Sequence, residues 1–167
     1  MVCRLFGVAL ESITDGPGIR FAIFAQGCPH FCHGCHNPES HDFRGGYEYD
    51  ADELIRKILS DPLLDGVTFS GGEPFMQAEE FAYIARAVRS SKRNIICYSG
   101  YTWEELLEQA DTRPGWHEMI SLTDILIDGR YDNNQKSMDL RFRGSRNQRA
   151  IDVQKSLKTG EITLFDL

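Results

Sequence analysis

Cys28, Cys32 and Cys35 fall within eight residues, Cys28-Pro29-His30-Phe31-Cys32-His33-Gly34-Cys35, in the spacing C-x3-C-x2-C. Three thiolates so spaced on a loop can converge on one soft-metal centre, and zinc and iron–sulfur are the candidates for that donor set. A closed structural zinc site takes four ligands, which His30, His33, His36 or His41 could complete. A [4Fe–4S] cube held by three cysteines instead keeps its fourth iron open to a non-protein ligand. The residue types alone leave both readings standing. With Cys3 and Cys97 the chain has five cysteines, an odd number that suits a reducing compartment better than a disulfide framework. Those two lie in apolar runs and read as packing residues.

A loop that presents thiolates must be carried by regular structure. Cys3 to Ala9 and Ile19 to Ala25 are apolar runs separated by the turn chemistry of Thr14-Asp15-Gly16-Pro17-Gly18, which predicts two early strands. The second delivers the chain to Gly27-Cys28. Asp50 with Glu53 predicts a capped helix start, Leu54, Ile55, Ile58 and Leu59 recur at helical spacing, and Asp61-Pro62 ends the helix. Gly66 to Ser70 is a β-branched run closing in Gly71-Gly72, after which Phe81, Ile84, Ala85 and Val88 mark a second helix face. Asn94 to Tyr98 predicts a strand, and Thr102 with Glu105 a capping box above Trp103, Leu106 and Leu107. Asp124 to Asp128 is the last clear strand, reached through the Pro114-Gly115 break. Beyond Gly129 the periodic signals fade, apart from Ile162 to Phe165.

Strands alternating with helices predict an α/β fold with a mostly parallel sheet, whose ligand sits beyond the carboxyl ends of the strands. Those ends carry Gly27-Cys28, Ser70-Gly71-Gly72-Glu73, Tyr98-Ser99-Gly100 and Asp128-Gly129-Arg130, so one site could collect all four. At 167 residues without repeats or linkers, a single domain over 1–167 is expected, too short for a complete eightfold barrel of about 250 residues. A hydrophobic fraction of 41% suffices for a core and argues against a disordered chain. The net charge of −7 opposes non-specific attraction to nucleic acid or anionic membrane, and no stretch approaches the ~20 apolar residues of a membrane helix. A cytoplasmic protein is expected.

The C-x3-C-x2-C loop followed by Gly71-Gly72-Glu73-Pro74 after the next strand resembles the radical S-adenosylmethionine (SAM) enzymes. Asp15-Gly16-Pro17-Gly18-Ile19-Arg20 and Gly27-Cys28-Pro29 resemble the subgroup that activates glycyl-radical enzymes. Ile127-Asp128-Gly129-Arg130 with Phe142-Arg143-Gly144-Ser145-Arg146-Asn147-Gln148-Arg149 is similar to the activating proteins of anaerobic ribonucleoside-triphosphate reductase. Pyruvate formate-lyase activating enzymes share the front motifs and are the nearest alternative. A non-catalytic zinc or cluster-binding module is the alternative from another class, and a small radical-SAM biosynthetic enzyme is disfavoured by the Arg-Gly-Ser-x-Asn-Gln-Arg stretch.

The resemblance implies a partial, open β/α barrel of the radical SAM type, with Cys28, Cys32 and Cys35 holding a [4Fe–4S] cluster. SAM would chelate the open iron, and its cleavage would give methionine and a 5′-deoxyadenosyl radical that abstracts hydrogen from a glycine of the reductase. The cofactor carries that chemistry, so no catalytic base is needed. Gly71, Gly72 and Glu73 are expected at the methionyl ammonium, Ser99 and Gly100 near the ribose or methionine region, and Asp128 and Arg130 near the sulfonium and carboxylate. Many superfamily members carry an aromatic residue before the third cysteine where this chain has Gly34. Main-chain groups around Gly34, Cys35 and His36 are expected to meet the adenine instead. Reduced flavodoxin or ferredoxin is the electron donor that the resemblance implies.

Gly129 to Lys158 holds 8 basic and 3 acidic residues, a local charge of +5 against −12 elsewhere. Arg143, Arg146 and Arg149 within it are candidates for a partner-binding surface, in competition with an ordinary solvated loop.

Overall fold

Apolar residues alternate along the strands, and that alternation decides which face of the sheet the helices cover. A computed structural model describes residues 1–167. Its strands are β1 (Val2–Ser12), β2 (Arg20–Ala25), β3 (Tyr47–Asp50), β4 (Gly66–Gly71), β5 (Asn94–Tyr98), β6 (Ile125–Asp128) and β7 (Arg149–Asp152). They form one sheet in the order β3-β1-β2-β4-β5-β6-β7. β2, β4, β5 and β6 pair in parallel, β1 is antiparallel to β2 and β3, and β7 is antiparallel to β6. Five strands therefore run one way, and β1 and β7 the other. The sheet stays open, with β3 and β7 at its edges.

Helices α1 (Ala51–Ser60), α2 (Ala78–Ser90), α3 (Trp103–Gln109), α4 (Trp116–Leu122) and α5 (Val153–Thr159) complete the regular structure. Leu5, Ile23, Phe69, Cys97, Leu126 and Ile151 of the strands share one core with Leu54, Ile58, Phe81, Val88, Leu106 and Trp116 of the helices. Each large apolar side chain so buried stabilises the fold by roughly 1.5–3 kcal/mol. Cys3 and Cys97 belong to this core, and burial pushes the Cys3 thiol up to about 12. The alternate strand positions face the other way: Ile96, Ile125, Ile127 and Ala150 form a small cluster with Tyr98.

Local signals and structure agree where capping or a turn decides the chain's path. Thr102 Oγ1 accepts from the Glu105 amide at 3.2 Å while Glu105 Oε2 accepts from the Thr102 amide at 3.0 Å, the full capping box of α3. Asp50 caps α1 through the Asp52 amide at 3.3 Å. Four elements go beyond the sequence reading: β3, α4, β7 and α5. The Ile162 to Phe165 run contributes an isolated bridge, Leu164 to Ile151. No helix is long and apolar enough to cross a membrane.

Arg20 explains the Asp15-Gly16-Pro17-Gly18 turn. Its guanidinium is fully buried and donates to Thr68 Oγ1 (2.7 Å), Val67 O (2.8 Å), Pro17 O (3.2 Å) and Asn94 O (3.3 Å). Burial lowers its pKa to about 10, with no carboxylate paired to it. Thr68 Oγ1 in turn donates to Asp15 O at 2.6 Å. The turn is thereby fastened to the sheet.

Candidate functional site

β2 ends at Ala25 and the chain turns through Gly27, whose amide donates to Ser40 O at 2.7 Å; the Cys28 amide donates to His41 O at 3.1 Å. Cys28, Cys32 and Cys35 then line one cavity of about 150 Å³ at the carboxyl ends of β4, β5 and β6. Phe31, between the first two cysteines, holds the left-handed conformation at φ 49° and leaves its ring 64% exposed. One main-chain amide, that of Asn37, donates to Cys35 Sγ at 3.4 Å.

Burial pushes the Cys28 thiol up to about 11 and raises that of Cys32, while nearby main-chain N–H groups work the other way by favouring the thiolates. Hydrogen bonds from such groups to the sulfurs help set the potential of an iron–sulfur cluster. Three cysteines lining one cavity supply the thiolate donor set that a cluster uses, so the residues fit a thiolate-held cluster.

The loop is anchored by Glu73, which is fully buried. Its Oε2 lies 2.7 Å from His30 Nε2 and accepts from the Gly100 amide at 2.8 Å. Its Oε1 accepts from Ser99 Oγ at 2.9 Å and from the Phe75 amide at 3.1 Å. One carboxylate thus ties the cysteine loop to the ends of β4 and β5. A burial this deep is tolerable only because every oxygen is engaged. Gly100 must be glycine, since a Cβ there would sit 2.3 Å from His30 Cδ2. His30 also meets Tyr101 edge-on at 4.5 Å, Tyr101 meets Trp116 at 5.0 Å, and Trp116 meets Phe75 at 5.3 Å. A file of rings therefore connects the helix-side core to the thiols.

The thiol cavity adjoins a second space of about 300 Å³, the two sharing Cys35, Ser70, Gly71, Tyr98, Tyr131 and Gln148. Asp15 and His36 border the second space. Among the expected cofactor contacts, Cys35, His36, Gly71, Gly72, Ser99 and Gly100 line one or both spaces. Gly34, Glu73, Asp128 and Arg130 line neither. Gly34 is exposed, and Asn133 stands beside it, its Oδ1 2.8 Å from where a Cβ would lie. Glu73 acts beneath the cavity as the anchor just described.

Asp128 is 1% exposed and fully engaged. Its Oδ2 accepts from the Trp103 amide (2.8 Å) and Arg149 Nη2 (2.5 Å), and its Oδ1 from the amide (3.3 Å) and Nε (3.1 Å) of Arg149. Arg149 continues to Glu104 at 2.7 Å, and these two carboxylates raise its pKa. Arg130 forks onto Glu105, both bonds 3.0 Å. These charges border a separate polar cleft that meets the thiol cavity at Gly129. Of the three arginines considered for a partner surface, Arg149 is thus ion-paired internally, Arg143 Nη1 donates to Gln148 O at 3.2 Å, and Arg146 is exposed.

Sequence reasoning missed Tyr131 and Gln148 as site residues, and it named His30 only as a possible zinc ligand and Tyr98 only as part of a strand end. Gln148 Oε1 accepts from the amides of Gly144 and Ser145, and its Nε2 donates to Gly129 O, so it staples the 129–149 segment across the cavity. Tyr98 adds a second tie, its hydroxyl donating to Phe142 O at 2.6 Å. His30 and Gln148 stood inside quoted motifs, which was their available signal. Tyr131 had none.

An α/β sheet that gathers three cysteines at its strand ends suits an iron–sulfur protein, and comparison with known sequences gives that class. Residues 14–151 match the family described as a 4Fe-4S single cluster domain. The anaerobic ribonucleoside-triphosphate reductase-activating protein of Enterobacteria phage T4 is 30% identical over 142 residues, covering 81% of this chain and 85% of that one. Its counterpart from Pasteurella multocida (strain Pm70) is 33% identical over 147 residues, covering 81% and 89%. The pyruvate formate-lyase-activating enzyme of Clostridium pasteurianum is 38% identical over 117 residues, and this chain spans about half of its length (49%). The chain therefore belongs to the 4Fe-4S single cluster family that contains the anaerobic ribonucleoside-triphosphate reductase-activating proteins.

Proposed function

We propose that this chain is a radical SAM activase that installs a glycyl radical on anaerobic ribonucleoside-triphosphate reductase. The observation that carries the reading is the pair of adjoining spaces at the strand ends, one lined by three cysteines and the other large enough for an elongated ligand. A [4Fe–4S] cluster on Cys28, Cys32 and Cys35 supplies, when bound, an open iron and the single electron for reductive cleavage of SAM. The chain's own residues orient and exclude. Gly71 and Gly72 offer main chain to the methionyl ammonium, with Ser99 and Gly100 beside it. Cys35 and His36 border the adenosyl half, with Gly34 beside them outside the lining. Asp128 and Arg130 act on SAM through the Gly129 turn that they flank. Gln148 and Tyr98 hold the 129–149 segment over the cavity and keep water out.

The open sheet with five codirectional strands supports a partial β/α barrel of the radical SAM type, one domain over 1–167. Coverage of 85–89% of the reductase-activating relatives, against 49% of the Clostridium enzyme, favours the reductase over pyruvate formate-lyase as target. Reduced flavodoxin or ferredoxin is the donor we infer, in a cytoplasmic setting that keeps the five thiols reduced. Arg143 and Arg146 form the basic side of the target surface, with Arg146 the exposed member, while the charge of Arg149, the third candidate, is taken up by Asp128 and Glu104.

Anaerobic reconstitution with iron and sulfide, followed by reduction in the presence of SAM, tests the reading. Release of 5′-deoxyadenosine is expected, and replacing Cys28, Cys32 or Cys35 by Ala abolishes it. A colourless protein with one zinc and no such product would leave a binding module instead. The target is then identified by which glycyl-radical enzyme acquires the paramagnetic signal. R143A/R146A is expected to slow activation severalfold while sparing SAM cleavage; equal activation rates would remove the docking surface.

A further inference from the structure

We propose that Tyr131 is the aromatic wall against which the adenine of SAM stacks, a specificity-determining role that rests on the radical SAM reading above. Two observations converge on this residue. It lines both spaces beside Cys35. Its hydroxyl donates at 3.1 Å to Asn133 Oδ1, the atom that a Cβ on Gly34 would meet at 2.8 Å, so Tyr131 and Asn133 stand together beside the cysteine loop.

The ring is held in place before any ligand arrives. The His36 ring meets it at 5.2 Å with a 48° tilt, and Gly144 presses close enough that a Cβ there would meet Cδ2 at 3.0 Å. Yet Tyr131 is half-buried and belongs to neither hydrophobic cluster. Tyr98, the other tyrosine shared by both spaces, packs against Ile96 and Ile127 and is tied to Phe142, so it serves the floor. A fixed aromatic ring with unclaimed surface beside a ligand chamber suits a planar base. Stacking of a base on an aromatic side chain is commonly worth tenfold or more in affinity.

The test measures equilibrium binding to the anaerobically reconstituted protein, with SAM and with S-methylmethionine, which keeps the amino acid and sulfonium but lacks adenosine. Y131A is expected to bind SAM about tenfold or more weakly, with S-methylmethionine affinity unchanged. Y131F, which keeps the ring, is expected to stay within about threefold of the wild type for SAM, because the hydroxyl only braces the ring. Y131A that binds SAM as tightly as the wild type overturns the assignment. So does equal loss of both ligands, which marks a structural role for the side chain. Failure of SAM to alter the cluster's paramagnetic spectrum in the wild type overturns the radical SAM reading itself, and is distinguishable because it precedes any substitution.

Discussion

The cysteine loop and the 129–149 segment close the same cavity from opposite sides, but they are held in different ways. The loop is fastened from beneath by one deeply buried carboxylate, Glu73, and by close main-chain approaches at Gly100 and Gly72. The 129–149 segment is fastened by arginine forks and a glutamine staple that lie partly in water. In the first region each polar bond forms in low dielectric, where an unmade bond is expensive. In the second, solvent screens the charges and can replace a lost partner. The side carrying the thiols is therefore anchored through a buried network, and the side over the ligand chamber through partly solvated ion pairs.

Removing Glu73 is the strongest way to break this contrast. Glu73→Ala strands His30 Nε2, Ser99 Oγ and the amides of Gly100 and Phe75 in the interior. Breaking a buried charged network costs about 3–5 kcal/mol, read as a drop in denaturation midpoint of the apoprotein. A loss under about 1 kcal/mol would show that the carboxylate is not the anchor. Gly100→Ala should come next, at roughly 1–3 kcal/mol, because its Cβ drives into the His30 ring and the loop must shift. The same variant should hold less iron after reconstitution, since His30 lies within the cysteine loop; full iron content would uncouple the strand end from the cluster.

Legibility in the sequence follows the same division. The cysteine spacing, the glycine turn of β4, the α3 capping box and the strands β2, β4, β5 and β6 were readable because local chemistry decides them. Glu73 could be singled out but not understood: the ammonium of SAM was its expected partner, and the structure gives it His30, Ser99, Gly100 and Phe75 of its own chain. Asp128 went the same way, with Arg149 arriving from β7, an element without a periodic signal of its own. β7 exists because Ile151 pairs beside Leu126 and completes the core, which is a tertiary cause. Trp116 likewise stands in a helix that the Pro114-Gly115 break concealed, although its ring links Phe75 to Tyr101.

Arg149→Ala probes the partly solvated side. It leaves Asp128 with two main-chain amides, those of Trp103 and of residue 149 itself, and the guanidinium it removes is one-third exposed, so water reaches part of the gap. The expected cost is about 1–2 kcal/mol, and Arg149→Lys should recover only part of it because an ammonium cannot fork onto two carboxylates. If Arg149→Ala proves as damaging as Glu73→Ala, the two sides of the cavity are equally strongly anchored and the distinction fails.

The smallest effect is also the most specific, because it isolates the outermost link of the Asp128–Arg149–Glu104 chain. Hydrogen bonding to the Arg149 guanidinium holds the Glu104 carboxyl below the usual range. The unfolded chain therefore takes up this proton before the folded one does as pH falls. The stabilisation is complete above the unfolded value of about 4.3 and is lost as pH drops through the lower folded value. Chemical denaturation of the apoprotein at neutral pH and at acidic pH should accordingly show Glu104→Gln slightly less stable than the wild type at neutrality. That difference should vanish in acid, where the wild-type carboxyl is protonated too. A gap that persists unchanged into acid would mean that Glu104 matters for packing rather than charge, and Arg149 would then be held by Asp128 alone.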